Sequence, residues 1–162
     1  MRFEANEAEI KQAQLPHNLF ISGVFLLDLL MTPAIIVLNT GMTGLLVPLF
    51  CSCALIGFIY LRSRKTTSWF ADAHWRLAFK HSQWLLLGYA VSALLIFFAW
   101  LISQAAHEAS MKHILWTALT RIALMPTLIA VMVTAVMEAS AIGLATKREV
   151  PDKIVRVFPV PV

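Results

Sequence analysis

Apolar positions gather into four long runs: Leu19 to Leu38, Met42 to Leu61, Trp84 to Ser103 and Ile114 to Ala145. A hydrocarbon core about 30 Å thick takes about 20 helical residues to cross. Lipid offers no partner to a bare backbone N–H or C=O, so such runs must be helices. The pattern predicts an all-α integral membrane protein with four transmembrane helices. Asn39–Gly41 is so short a connection that the first two runs form an antiparallel hairpin, and the last two are expected to pair likewise. Three parts follow: an amino-terminal segment (1–18), a transmembrane domain (19–145) and a tail (146–162).

The polar stretches between the runs are less uniform. Residues 1–18 suit a frayed helix ending before Pro16. From Thr66 to Gln83, Thr66, Thr67 or Ser68 can cap a helix and Asp72 suits its first turn. Phe70, Ala73 and Leu77 then share an apolar face with Trp69 and Trp84, while Arg76 and Lys80 lie opposite. This reads equally as a cytoplasmic interfacial helix at about 67–82 or as an extension of the third run. Tryptophans at 69, 75 and 84 suit the headgroup level. The spacing Phe70-x-Asp72-x-His74-x-Arg76-x-Ala78 resembles one that precedes a membrane helix in some small bacterial families, and it assigns the chain to none of them. Gly88 with Ser92, and Cys53 with Gly57, are small residues four apart that let helix backbones approach.

Composition agrees: 59% of residues are hydrophobic and mean hydropathy is +0.76, too apolar for a soluble domain. The net charge of +4 matters less than its placement. Arg62, Arg64, Lys65, Arg76 and Lys80 crowd the middle connection, and Lys147, Arg148, Lys153 and Arg156 the tail. By the positive-inside rule both regions are cytoplasmic, and four crossings return the amino terminus to the same side. The basic balance is therefore topological, and no nucleic-acid partner is expected. Glu4, Glu7 and Glu9 outnumber Arg2 and Lys11 ahead of the first run, which reads as a retained helix rather than a cleaved signal. Helix 4 is expected to end near Gly143. Residues 152–162 are expected to dock in extended form on a partner or on the protein's own cytoplasmic surface.

Few residues could carry chemistry. Asp28 lies near the middle of the first run, where a charge costs about 2.5–3.5 kcal/mol, so it must be paired, protonated or hydrated. Thr32 and Asn39 share its helical face at 100° per residue. In the fourth run Thr120, Thr127, Thr134 and Glu138 form a polar stripe flanked by Thr117 and Arg121, which belongs against other helices or a partner. Asp28, Arg121 and Glu138 are therefore the candidate intramembrane polar pair or transport site, with Asp28–Arg121 within reach. The alternative is that Arg121 and Glu138 snorkel to opposite interfaces.

Other chemistries find no footing. Quinone-linked disulfide oxidases with four helices carry cysteine pairs in external loops. Cys51 and Cys53 instead lie two apart inside a run, where they suit packing rather than a disulfide. His17, His74, His81, His107 and His113 all fall outside the apolar runs, so intramembrane haem ligands are missing. His107, Glu108 and His113 read as solvated rather than metal-binding. No cofactor and no catalytic constellation is expected. The leading expectation is a non-catalytic subunit, assembly factor or scaffold contacting lipid and a membrane-protein partner or a second copy of itself. The alternative is a small oligomeric transporter or channel, since the architecture is similar to that of small multidrug-type exporters with an acidic residue in helix 1.

Overall fold

A computed structural model describes residues 1–38, 41–65 and 67–160. It is 84% helical, without strands among the described residues. The helices are α1 (Glu7–Gly23), a π-helical stretch (Val24–Met31), α2 (Thr32–Val37), α3 (Gly41–Ser63), α4 (Trp69–Gln104), α5 (Ala109–Ala123), α6 (Met125–Thr146) and the short α7 (Asp152–Val157). Four helices are long and apolar enough to cross a membrane: Glu7–Ile35, Leu46–Ser63, Trp69–Gln104 and Ala109–Thr146. The chain is an all-α, multi-pass membrane protein.

Helix α1 begins twelve residues before the first apolar run, and a capping box sets its start. Asn6 Oδ1 accepts from the Glu9 backbone N–H at 2.8 Å, and Glu9 Oε2 accepts from the Asn6 N–H at 3.0 Å. Two orphan amides are thereby satisfied. The helix does not end before Pro16, as expected from the sequence; Pro16 is buried inside it. Its missing donor costs about 3 kcal/mol, and burial of Ala13, His17 and Phe20 on the same face opposes that cost. The π-helical stretch changes the register further on. Its i→i+5 bonding winds by less than 100° per residue, so the face assigned to Asp28 and Thr32 shifts. Thr32 donates its hydroxyl back to the Leu27 carbonyl at 3.0 Å. Asn39 lies outside the described residues, as does Thr66.

The segment at 67–82 is not a separate interfacial helix. It is the first third of α4, whose 36 residues extend about 54 Å at 1.5 Å each. Phe70, Ala73 and Leu77 do form an apolar face, but protein covers it: Ala5, Ala13, Ala141, Ala145, Val150 and Ile154 share their core. Trp75, expected among headgroups, is buried, with Phe58 at 6.1 Å and the Arg62 guanidinium at 5.2 Å from its ring.

Helix α6 outruns Gly143 to Thr146 because a Schellman motif ends it. The Glu149 N–H donates to Leu144 O at 2.8 Å and the Arg148 N–H to Ala145 O at 3.1 Å, the paired bonds of that motif. Arg148 takes the left-handed conformation at φ 60°. Between α5 and α6 the fourth run is interrupted at Leu124. Two residues on, Pro126 has no N–H to offer the Ile122 carbonyl.

The described residues divide into two compact units: Met1–Ser82 with Ala135–Val162, and Gln83–Thr134. In the first, α3 lies antiparallel to the α1–π–α2 run. A Cβ on Gly23 would stand 2.0 Å from Leu55 Cδ2, and Ser52 Oγ donates to Asp28 Oδ2 at 3.2 Å. Chain ends meet here too. The Phe3 N–H donates to Arg148 O and the Val150 N–H to Met1 O, both at 2.9 Å. The tail docks on its own unit as expected, but residues 152–157 are helical rather than extended. Trp69 Nε1 donates to Pro159 O at 2.9 Å, Phe158 stacks on Trp69 at 6.0 Å, and the Arg76 guanidinium lies 3.6 Å over the Phe158 ring.

In the second unit α4 and α6 are antiparallel and closely apposed. A Cβ on Gly88 would meet Ala130 Cβ at 2.5 Å and Pro126 O at 3.2 Å. Thr127 Oγ1 lies 2.9 Å from Ser92 Oγ as its donor, so the Gly88–Ser92 pair does carry a helix crossing. Gly57 has open space around it and Cys53 is exposed; among the described residues that second small-residue pair carries no helix crossing.

Candidate functional site: a buried histidine–glutamate cluster

The densest polar chemistry lies in the first unit, where α1, α4 and α6 converge. On α1, Ala13, His17, Phe20 and Val24 recur at helical spacing and are all buried; His17 occupies one place in an otherwise apolar stripe. On α4, His74 and His81 are seven apart and share a face. From α6 comes Glu138. Three of these four, His17, His74 and Glu138, have no solvent exposure, and the His81 side chain retains 12%.

They form a continuous hydrogen-bonded chain. Glu138 Oε2 bonds His17 Nδ1, and Glu138 Oε1 bonds His81 Nδ1 at 2.8 Å. On its other edge, His17 Nε2 lies 2.9 Å from His74 Nδ1. An ionised carboxylate only accepts, so both Nδ1 atoms facing Glu138 carry hydrogen. Phe70 closes over His74 edge-on at 5.0 Å. His81 alone opens outward, into a groove of about 320 Å³ shared with Leu77, Met137, Ser140, Leu144 and Pro151. Among the described residues no group of three or more histidine, cysteine or acidic side chains is arranged to hold a metal ion.

Glu138 was grouped with Asp28 and Arg121 by sequence. In the structure it is fully buried, bridging His17 and His81. His17, His74 and His81 fall outside the apolar runs, yet they lie on helices long and apolar enough to cross a membrane, since α1 and α4 extend well past those runs. The other stripe residues divide. Thr134 is buried and donates back to Ala130 O at 2.7 Å. Thr127 serves the Gly88–Ser92 crossing, Thr120 donates to Trp116 O at 2.6 Å, and Thr117 is half-buried. Asp28, in the first unit, is half-buried with Ser52 as one donor. Arg121, in the second, is exposed, as are His107, Glu108 and His113. Cys51 and Cys53 are free and exposed rather than packed. The missed signal was the shared spacing of His74 and His81 with Phe70, Leu77 and Leu85, which marks a buried face.

No protein-family model, curated protein or solved structure matches this chain.

Proposed function

We propose that the chain is a non-catalytic subunit, assembly factor or scaffold of a larger complex in a bacterial inner membrane, with both termini cytoplasmic. Arg121 carries the reading. It is exposed on α5, seven residues into the fourth apolar run, about 10 Å at 1.5 Å per residue. A charge among lipid is costly, and a protein bound alongside supplies carboxylates or carbonyls that remove the cost. In the first unit, by contrast, both carboxylate oxygens of Glu138 are met by histidines of the same chain, as in a structural element. The placement of lysines and arginines supports the orientation.

The test is purification of the tagged protein from its native membranes in mild detergent, followed by mass spectrometry. A stoichiometric membrane partner, lost in a stably folded Arg121→Leu variant, is expected; recovery of the wild-type protein alone would sink the reading. A second reading, a small oligomeric transporter or channel using Asp28 with Arg121, draws on Asp28 occupying a π-helical turn, a feature frequent at functional sites. An Asp28→Asn variant that folds normally yet abolishes a proton-dependent flux in liposomes would favour it.

A further inference from the structure

His81 is where the buried cluster reaches the surface. Its Nδ1 lies 2.8 Å from Glu138 Oε1, and the other Glu138 oxygen is held by His17. Glu138 has no solvent exposure. The imidazole is therefore braced from behind by a carboxylate that is itself fixed, and such support pre-organises a binding group. The two ring nitrogens point away from each other, which turns Nε2 from Glu138 toward the groove. The His81 side chain keeps 12% exposure, and among the described residues Glu138 is its one hydrogen-bond partner.

The groove before it measures about 320 Å³, at the small end of ligand sites, which run from about 300 to 1,000 Å³. Leu77, Met137 and Leu144 supply apolar walls and Ser140 adds a hydroxyl. Val136 also lines it and is 67% exposed. All of these residues belong to the first unit. Ser140 lies five residues before the end of the fourth apolar run, about 8 Å at 1.5 Å per residue, so the groove opens within the edge of the hydrocarbon. A few oriented polar groups in an apolar lining are the composition of a small-ligand site. A nitrogen left against hydrocarbon is costly. A hydroxyl removes that cost whichever way the hydrogen runs, because it both donates and accepts.

We propose that this groove is a binding site for a small phenolic ring dissolved in the bilayer. The phenol hydroxyl bonds His81 Nε2, and the ring lies against Leu77, Leu144 and the Met137 thioether. Thioether sulfur makes favourable contacts at ring edges. One hydroxyl on an apolar body suits a lining whose polar side chains are His81 and Ser140. A glycerol headgroup suits it less, because its further oxygens would face Leu77 and Leu144 without partners. The site goes beyond the subunit reading and needs no partner chain.

Nitrogen-15 histidine spectra of the full-length protein in liposomes, titrated with para-butylphenol, test this directly. The His81 Nε2 resonance should shift saturably. Para-butyltoluene has the same shape without the hydroxyl, and it should bind about tenfold more weakly or worse, since a site built to bond a hydroxyl rejects the analogue lacking it. Ser140→Trp, at an exposed position, fills the groove and should abolish the shift while its thermal midpoint stays close to wild type. No saturable shift with butylphenol overturns the proposal, as do equal shifts from both probes or binding that survives Ser140→Trp. Monooctanoylglycerol tests a lipid headgroup as the source of the hydroxyl, and tighter binding of it than of butylphenol overturns the assignment of a ring. If the Trp variant does not fold, the comparison of the probes on the wild-type protein still decides.

Discussion

Arg148 stands in the left-handed region, where a Cβ crowds the following carbonyl at a cost of about 1–2 kcal/mol. The Schellman closure of α6 and the pairing of Arg148 O with Phe3 hold it there. Arg148→Gly relieves the crowding and loses part of the gain to backbone entropy. It should raise stability by about 0.5–1 kcal/mol, read as a higher thermal midpoint in detergent, whereas Lys147→Gly within the same turn should lower it. At Glu138 the stakes are larger. His17→Ala leaves a buried carboxylate with one of its two partners, and breaking such a pair typically costs about 3–5 kcal/mol. A thermal midpoint unchanged in His17→Ala would contradict the pairing. Glu138's inward orientation was legible from its place on the threonine stripe. Its partners were not, because spacing can mark the face of a histidine as buried but cannot say which residue of another helix meets it there.

At the level of elements, the four apolar runs announced four crossings because lipid leaves no alternative to helix. What the runs concealed is how far the helices continue beyond them. Polar residues at 7–18 and 69–83 look like connections by hydropathy alone, yet their apolar faces are buried against each other and against the tail. Pro16 misled for a related reason: a local penalty of about 3 kcal/mol was outweighed by packing that only the tertiary structure reveals. Small-residue spacing was equally ambiguous, and the two candidate pairs separate cleanly. Gly88→Leu must displace Ala130 and the Pro126 carbonyl, so its thermal midpoint in detergent should fall well below wild type. Gly57→Leu meets open space and should stay close to wild type. Equal losses at both sites would contradict the apposition of α4 and α6.

For the whole molecule, the first unit draws on both ends of the sequence. Deleting residues 152–162 removes Phe158 from between Trp69 and Arg76 and uncovers the core around Ile154. The shortened protein should insert normally but melt several degrees lower, and a preserved midpoint would show the tail to be decoration. Reporters at Met111 and Thr146 should fall on opposite sides of the membrane, which checks the four-crossing reading; the same side for both would refute it.

The clasp also has a consequence for biosynthesis. Residues 1–82 leave the ribosome before residues 135–162 exist, and the intervening stretch takes roughly 3–10 s at about 5–20 residues per second. For that interval His17 and His74 wait without Glu138, and Phe70 and Leu77 wait without Ala141 and Ala145. The nascent chain therefore leaves the packing faces of α1 and α4 uncovered until the last crossing is made. A ribosome stalled before Ala135 would present a half-built unit, fit for degradation rather than assembly.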